Sequence, residues 1–151
     1  MFKRRKWFHN SKKVEIDWYK FDSKLEWDYY LYLKKKKEEW MIKDFELQPR
    51  YELQEKFEKL WKKYKSITYI ADFKIILNWY KEIVVDIKGL PTETANLKRK
   101  LFDYKYRDLK LVWIQRYKWD WVIYEDNQKR IKENKKNKKE LEKETKKTIN
   151  N

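Results

Sequence analysis

Two segments rich in β-branched and aromatic residues, 67–77 and 83–88, flank the short stretch Asn78-Trp79-Tyr80-Lys81. So short a connection favours an antiparallel hairpin, since parallel strands need a long crossover. Asp72 and Asp86 are equidistant from Trp79, so a turn that is symmetric about Trp79 places the two aspartates directly opposite one another. The sequence therefore predicts a hairpin with facing carboxylates.

Opposed like charges weaken a strand pair by roughly 0.2–1 kcal/mol, and partial burial adds to that cost. A divalent cation between the carboxylates would compensate, and ligation by oxygen alone suits Mg²⁺ or Mn²⁺. Because alternate residues of a strand share a face, Lys88 lies beside Asp86, where it could orient a water molecule or stabilise developing charge. The alternative is an exposed hairpin face on which Lys74 and Lys88 merely form weak ion pairs with the aspartates.

The segment before this hairpin predicts a helix over residues 23–37, because Asp22 or Ser23 can cap it and apolar residues recur at helical spacing. Glu26 stands at the third position after Ser23. It can complete a capping box with the serine or supply a further acid to the site, and both interpretations stay open.

The remaining pattern alternates between strands and helices. We expect an edge strand within residues 40–53 that ends or bulges at Pro49, and a short helix or ordered loop over 54–65. The later elements are a helix from Pro91 to Tyr106 and strands at 109–114 and 121–124. This order predicts an α/β (α+β) fold with a central mixed β-sheet flanked by helices.

The 151 residues suffice for one domain, which we place at residues 1–124, with a charged C-terminal helix or tail at 125–151. With Gly89 as its one glycine, the chain cannot contain a glycine-rich phosphate loop or dinucleotide turn. It has no cysteine, and His9 is its one histidine, which we expect at the surface rather than on a metal. No segment resembles a secretory leader or a membrane span, so we expect a cytoplasmic protein without membrane contact.

The charge of the chain indicates an anionic partner. Its 40 Lys and Arg outnumber its 25 Asp and Glu, giving a net charge of +15 that attracts polyanions such as nucleic acid. The alternative is that an AT-rich genome favours Lys, Asn, Ile and Tyr whatever the function. Charge by itself does not separate the two explanations.

Five segments, FDSKLEWDYYLYL, FELQPRYEL, YIADFKI, VVDIKG and LKRKLF, together resemble the PD-(D/E)XK nuclease superfamily, and within it a small phage-encoded endonuclease-like family. The resemblance implies a restriction-endonuclease-like core. It also implies that Asp72 and Asp86 are metal ligands and that Lys88 is the catalytic lysine. Glu26 is then the acid of the first helix, a further catalytic member of the metal site that supports a ligand or a second metal. The sequence departs from the superfamily pattern in lacking proline before Asp72.

The resemblance also implies roles for two lysines, an activity and a substrate. Lys98 and Lys100, on the helix after the hairpin, are candidates for contact with substrate phosphate. The expected activity is Mg²⁺-dependent hydrolysis of DNA, with Mn²⁺ as a substitute, on branched recombination or replication intermediates. A homodimer would suit Holliday-junction cleavage. The rivals are a non-catalytic basic DNA-binding protein with the nuclease fold, and a structural or inhibitory phage protein.

Overall fold

A computed structural model of the protein describes residues 14–16 and 19–149, so His9 lies outside the described residues. Three helices and eleven strands occur within them. In chain order the elements are β1 Val14–Ile16, β2 Tyr19–Phe21, α1 Lys24–Glu38, β3 Asp44–Leu47, β4 Arg50–Gln54, β5 Phe57–Lys59, β6 Lys62–Tyr64, β7 Ile67–Ile70, β8 Phe73–Ile76, β9 Glu82–Ile87, α2 Glu93–Lys105, β10 Lys110–Tyr117, β11 Asp120–Ile123 and α3 Tyr124–Ile149.

The central sheet has five strands in the order β11-β10-β9-β8-β3. Strands β9 and β10 are parallel, with α2 between them in the chain, and the other neighbours are antiparallel. The remaining described strands form three two-stranded ladders, β1-β2, β4-β7 and β5-β6. The predicted α+β class, a mixed sheet flanked by helices, is confirmed.

Helix α1 covers one face of the sheet. Ser23 caps it, accepting a hydrogen bond from the backbone N–H of Glu26, and the helix ends at Glu38, close to the predicted range. Tyr29 and Leu33 lie one turn apart, so both point inward and are buried. They join one apolar cluster with Phe21, Ile42, Phe73, Ile75, Val85 and Ile114.

Helix α2 belongs to the opposite face. Thr92 caps it through a hydrogen bond from the N–H of Ala95, which agrees with the predicted start after Pro91. Its buried residue Phe102 belongs to a second cluster. The other buried members of that cluster are Leu53, Tyr69, Ala71, Val84, Leu111 and Trp113.

The prediction of one continuous strand over residues 67–77 is wrong, because the chain bends at Ala71 and Asp72 between β7 and β8. The preceding turn holds this bend: the N–H of Gln48 donates to the Asp72 carbonyl at 2.9 Å, and the N–H of Ala71 donates to the Pro49 carbonyl at 3.1 Å. As a result Tyr69 belongs to the α2-side cluster and Phe73 to the α1-side cluster, although uninterrupted alternation would give them the same face.

The prediction of a helix or loop over residues 54–65 is also wrong, because β5 and β6 form a hairpin there. The strand predicted within 40–53 does end at the proline, as β3 and β4 separate at Gln48 and Pro49. The strands at 109–114 and 121–124 are confirmed as β10 and β11. Among the described helices, none combines the length and apolarity needed to cross a membrane.

Candidate functional site

Asp86 and Lys88 stand at the carboxyl end of β9, in the middle of the central sheet. Parallel pairing places Asp86 beside Trp113, and the N–H of Lys88 continues the ladder by donating to the Ile114 carbonyl at 2.9 Å. Asp86 is 2% exposed. Lys88 Nζ lies 2.9 Å from Asp86 Oδ1, so the buried carboxylate has a cationic partner, as the alternation of the strand predicts.

Asp72 faces the end of β9 from the bend before β8. The β8–β9 pairs run from Ile76↔Glu82 to Phe73↔Val85, which confirms the predicted register about Trp79. The next hydrogen bond along this ladder involves a side chain: Asp72 Oδ2 accepts from the N–H of Ile87 at 2.6 Å. Asp72 therefore reaches β9 through its carboxylate.

The two carboxyl groups interact directly. Burial, the charge of Asp86 and a hydrogen bond shared with Asp86 raise the pKa of Asp72 well above its usual range, and the charge of Glu26 adds to this. The hydrogen bond from the N–H of Ile87 acts in the opposite direction. Two acids in one partly desolvated place cannot both ionise without a compensating cation.

Tyr69 and Trp113 complete the surroundings of Asp86, and the sequence interpretation missed both. The Tyr69 hydroxyl donates to Asp86 Oδ2, and Trp113 Nε1 donates to the Tyr69 oxygen at 3.0 Å. Burial, then the charge of Asp86, raises the pKa of Tyr69, so this hydroxyl stays a proton donor. Only the pairing of β9 with β10 brings Trp113 here, and short-range spacing carries no signal for that pairing.

Glu26 forms a variant of the predicted capping box, in which it accepts from the N–H of Asp22 instead of the N–H of the cap residue Ser23. Its Oε1 accepts from the Ser23 hydroxyl at 2.8 Å, and its Oε2 accepts from the N–H of Asp22 at 2.9 Å. It also lies close enough for its charge to raise the pKa of Asp72 and for the charge of Asp86 to contribute to its own raised pKa, whose largest cause is burial. Glu26 is thus a helix cap whose carboxylate interacts electrostatically with Asp72 and Asp86.

The basic residues of α2 have separate surroundings. Lys98 Nζ donates to the Thr68 carbonyl at 2.9 Å and so ties α2 to β7, whereas Lys100 is exposed. Arg99 pairs with Glu125 and lies over the Trp113 ring, with 4.4 Å between its guanidinium carbon and the ring centroid. Of the two predicted phosphate contacts, Lys100 is therefore exposed, whereas Lys98, like Arg99, has contacts within the fold.

The donor set fits a hard divalent cation in its chemistry, although it is small. Asp72 and Asp86 supply carboxylate oxygens at one place, and their mutual repulsion is what a cation would relieve. Among the described residues, no group of three or more Asp, Glu, His or Cys side chains could hold a metal ion. Any such cation would need backbone carbonyls or water in addition to the two aspartates.

Comparison with known families gives one match. Residues 4–120 match the family described as "Protein of unknown function (DUF1064)". The chain belongs to this family. The matched range contains α1, the Asp72 bend, Asp86, Lys88 and α2, and it ends before α3. No curated protein and no solved structure matches the chain.

Proposed function

We propose that this protein is a divalent-metal-dependent nuclease that hydrolyses phosphodiester bonds in DNA. The observation that carries the proposal is the convergence of Asp72, Asp86 and Lys88 at the end of β9. Two acids of which one is buried and the other half-buried, beside a lysine, are costly for folding and are characteristic of sites that bind cations.

Each residue has a role in this proposal. Asp72 and Asp86 would hold Mg²⁺ or Mn²⁺, and such an ion supplies an acidified water and polarises a phosphoryl oxygen. Lys88 would orient the attacking water or neutralise charge that develops on the phosphate. Tyr69 would fix the rotamer of Asp86, because it donates to the oxygen that Lys88 does not contact.

The order of elements supports a restriction-endonuclease-like core. An antiparallel pair, β8–β9, presents the two aspartates, α2 connects β9 to its parallel neighbour β10, and α1 covers the other face with Glu26 at its start. Residues 1–124 would then form the nuclease domain, and α3, which is lysine-rich and exposed over residues 132–142, would be an extension.

The net charge of +15 favours a polyanionic substrate. Branched recombination or replication intermediates are the proposed targets, and cleavage of a Holliday junction would require two sites related by a two-fold axis. Light scattering of the protein on a four-way junction checks this point. Two copies per junction support resolvase action, and one copy supports cleavage of flaps or nicks.

The deciding experiment is cleavage of linear, nicked and branched DNA with and without Mg²⁺. Asp86→Asn keeps the volume of the side chain and an acceptor for Tyr69, and Lys88→Ala removes the ammonium. We expect each to lower the rate by at least about a hundredfold, the size of effect seen when transition-state charge loses a partner. DNA binding without metal-dependent cleavage by the wild type would instead favour a non-catalytic DNA-binding protein.

Lys74→Ala is the matched control. Lys74 also belongs to this sheet and pairs with Glu46 at 2.6 Å, and its side-chain exposure of 21% is close to the 27% of Lys88. Its ion pairs have no contact with the aspartates, so the rate should stay within about twofold and the stability loss within about 1 kcal/mol. An equal loss of rate in both lysine variants would contradict a specific role for Lys88.

A further inference from the structure

Strands β4 to β7 form two antiparallel ladders that follow one another along the chain, β4–β7 and β5–β6, separated by residues 55–56 and 65–66; together they are the arm (residues 50–70). Pairing runs from Arg50↔Ile70 near its base to Lys59↔Lys62 at its end, with one register shift between Glu52 and Gln54. At about 3.3 Å per residue the chain from Ile70 to Leu60, which includes β7 and β6, can reach at most about 33 Å, close to one helical turn of DNA. The arm is therefore long enough to follow a duplex.

The two halves of the arm differ. Its base packs on α2 through Tyr51, Leu53, Ile67 and Tyr69, all members of the α2-side cluster. In its distal half (residues 55–65), every residue of β5 and β6 is exposed. Phe57 and Tyr64 stack across the ribbon with 4.5 Å between ring centroids, which stabilises the hairpin itself.

The turn at the end of the arm, its tip, has two residues whose types are not explained by folding. Leu60 and Trp61 occupy the two turn positions with φ of 49° and 64°, where Asn-Gly would fit with less steric strain. They are 86% and 94% exposed. A large aliphatic and a large aromatic side chain thus stand in water, in a disfavoured backbone conformation, and contribute little to the core.

The distal half is also basic. It contains five lysines and two glutamates, a net charge of +3 within eleven residues. Positive side chains that flank an exposed aromatic tip are the combination with which proteins bind nucleic acid: the ammonium groups contact phosphates and the aromatic ring stacks on unpaired bases. An apolar tip without such charge would suit another protein equally well.

The base of the arm joins the candidate site. Strand β7 ends at Ile70, two residues before Asp72, and its Tyr69 donates to Asp86. Strand β4 begins at Arg50, just after the turn in which Gln48 holds the Asp72 carbonyl. A duplex bound along the arm would therefore lead into the site.

We infer that the arm binds the DNA substrate, with its lysines along the phosphates and Leu60-Trp61 stacked on unpaired bases where a duplex opens or branches. This rests on the proposed function for the identity of the substrate. It adds that the preferred substrate has unpaired bases about one helical turn from the cut. The binding experiments below omit metal, so their results do not depend on cleavage.

The first test replaces the tip. The double variant Leu60→Asn with Trp61→Gly suits the turn and keeps the hairpin. Its binding in EDTA is compared with that of wild type on a fork, a duplex of about 20 base pairs with unpaired strands, and on the blunt duplex. We expect the variant to lose about 5- to 150-fold in affinity for the fork, the equivalent of one stacked base, and little for the duplex. The fluorescence of a 2-aminopurine at the first unpaired position should be quenched by stacking on Trp61 with wild type only.

Trp119→Ala is the matched control, since Trp119 is 87% exposed at the turn between β10 and β11. It should bind the fork like wild type. Fork binding by the tip variant equal to wild type would overturn the proposal, and so would an equal loss in Trp119→Ala. If the wild type never cleaves DNA but the tip variant still loses fork binding, the proposed nuclease activity is overturned. The arm then remains a DNA-binding element.

The second test removes positive charge from the arm. Converting Lys56, Lys59, Lys62, Lys63 and Lys65 to Gln should reduce the slope of log affinity against log salt by about 0.9 for each phosphate that the arm no longer neutralises. The matched variant converts five lysines of α3 to Gln: Lys132, Lys135, Lys136, Lys138 and Lys139. An unchanged slope in the arm variant, or an equal change in both, would show that the charge of the arm has no particular role.

Discussion

The two faces of the central sheet are built from different chemistry. Under α1 the buried residues are apolar and aromatic, from Phe21 to Ile114. The face toward α2 also buries Asp86, which accepts from Tyr69 and pairs with Lys88. Apolar burial stabilises a fold whatever its function, whereas a buried charge network costs desolvation and needs every partner in place. The α1 face therefore supplies stability, and the α2 face carries the candidate site.

Leu33→Ala tests the α1 face and should have the largest effect on stability. Leu33 is 1% exposed, so its truncation leaves a cavity and should lower the free energy of unfolding by about 2–5 kcal/mol. Leu31→Ala on the same helix, at 46% exposure, should change it by about 0.5 kcal/mol or less. Urea unfolding measures both. A comparable loss in the two variants would contradict the packing of α1.

Tyr69→Phe tests the network on the α2 face. It removes the donor to Asp86 and the acceptor of Trp113 Nε1, so a buried N–H loses its partner. We expect a loss of about 1–3 kcal/mol by urea unfolding. Tyr104→Phe, at 74% exposure, is the control and should be neutral. If Tyr69→Phe also left the free energy of unfolding unchanged, the hydrogen-bond network around Asp86 would contribute nothing to stability.

Asp72→Asn should stabilise the metal-free protein while it abolishes cleavage. The amide can accept from Ile87 N–H as Asp72 does and can donate to Asp86, without the repulsion that raises the pKa of Asp72. We expect a gain of about 0.5–2 kcal/mol at neutral pH, typical of single stabilising substitutions. Mg²⁺ should raise the melting temperature of wild type more than that of the variant.

The pH dependence of that gain has a definite sign. A carboxyl whose pKa is raised by folding binds more protons in the native state, so its contribution to stability falls as pH rises from 3.8 through the folded pKa. The advantage of Asp72→Asn over wild type should therefore be smallest in acid and grow toward neutral pH. Thermal unfolding across this range measures it, and a constant difference would contradict the raised pKa.

Glu26→Gln separates the two roles of Glu26 and should have the smallest effect on stability. Glutamine also completes a capping box, so the free energy of unfolding should change by about 0.5 kcal/mol or less. If Glu26 acts in the site, cleavage should fall although the cap remains. Ser23→Ala is the complementary change, expected to cost about 1 kcal/mol through the cap. Equal cleavage by wild type and Glu26→Gln would leave Glu26 a cap alone.

The sequence predicts the centre of the molecule well because its determinants there are local. A short connection sets the β8–β9 register, and alternation places Lys88 beside Asp86. The capped starts of α1 and α2 depend on residues within one turn. In these places neighbouring residues decide the structure, so a single sequence suffices.

The failures arise where a local pattern fits two different structures or where distant segments determine the structure. Phe57 and Tyr64 are seven residues apart, which suits two turns of a helix and also a cross-strand pair in a hairpin with a two-residue turn. The bend at Asp72 depends on hydrogen bonds to Gln48 and Pro49, more than twenty residues away. Trp113 reaches Tyr69 only through the parallel pairing of β9 with β10.

The regular pairing of the arm makes its length adjustable. Because successive residues of a strand face opposite sides, adding two residues to each strand beyond Lys59 and Lys62 would restore the facing of the tip and lengthen the ribbon by about 7 Å. Adding one to each would turn Leu60 and Trp61 to the other side. Insertions or deletions in this ribbon would therefore change the distance between a bound fork and the cut, while Asp72 and Asp86 stayed in place. Related chains could differ in this distance alone.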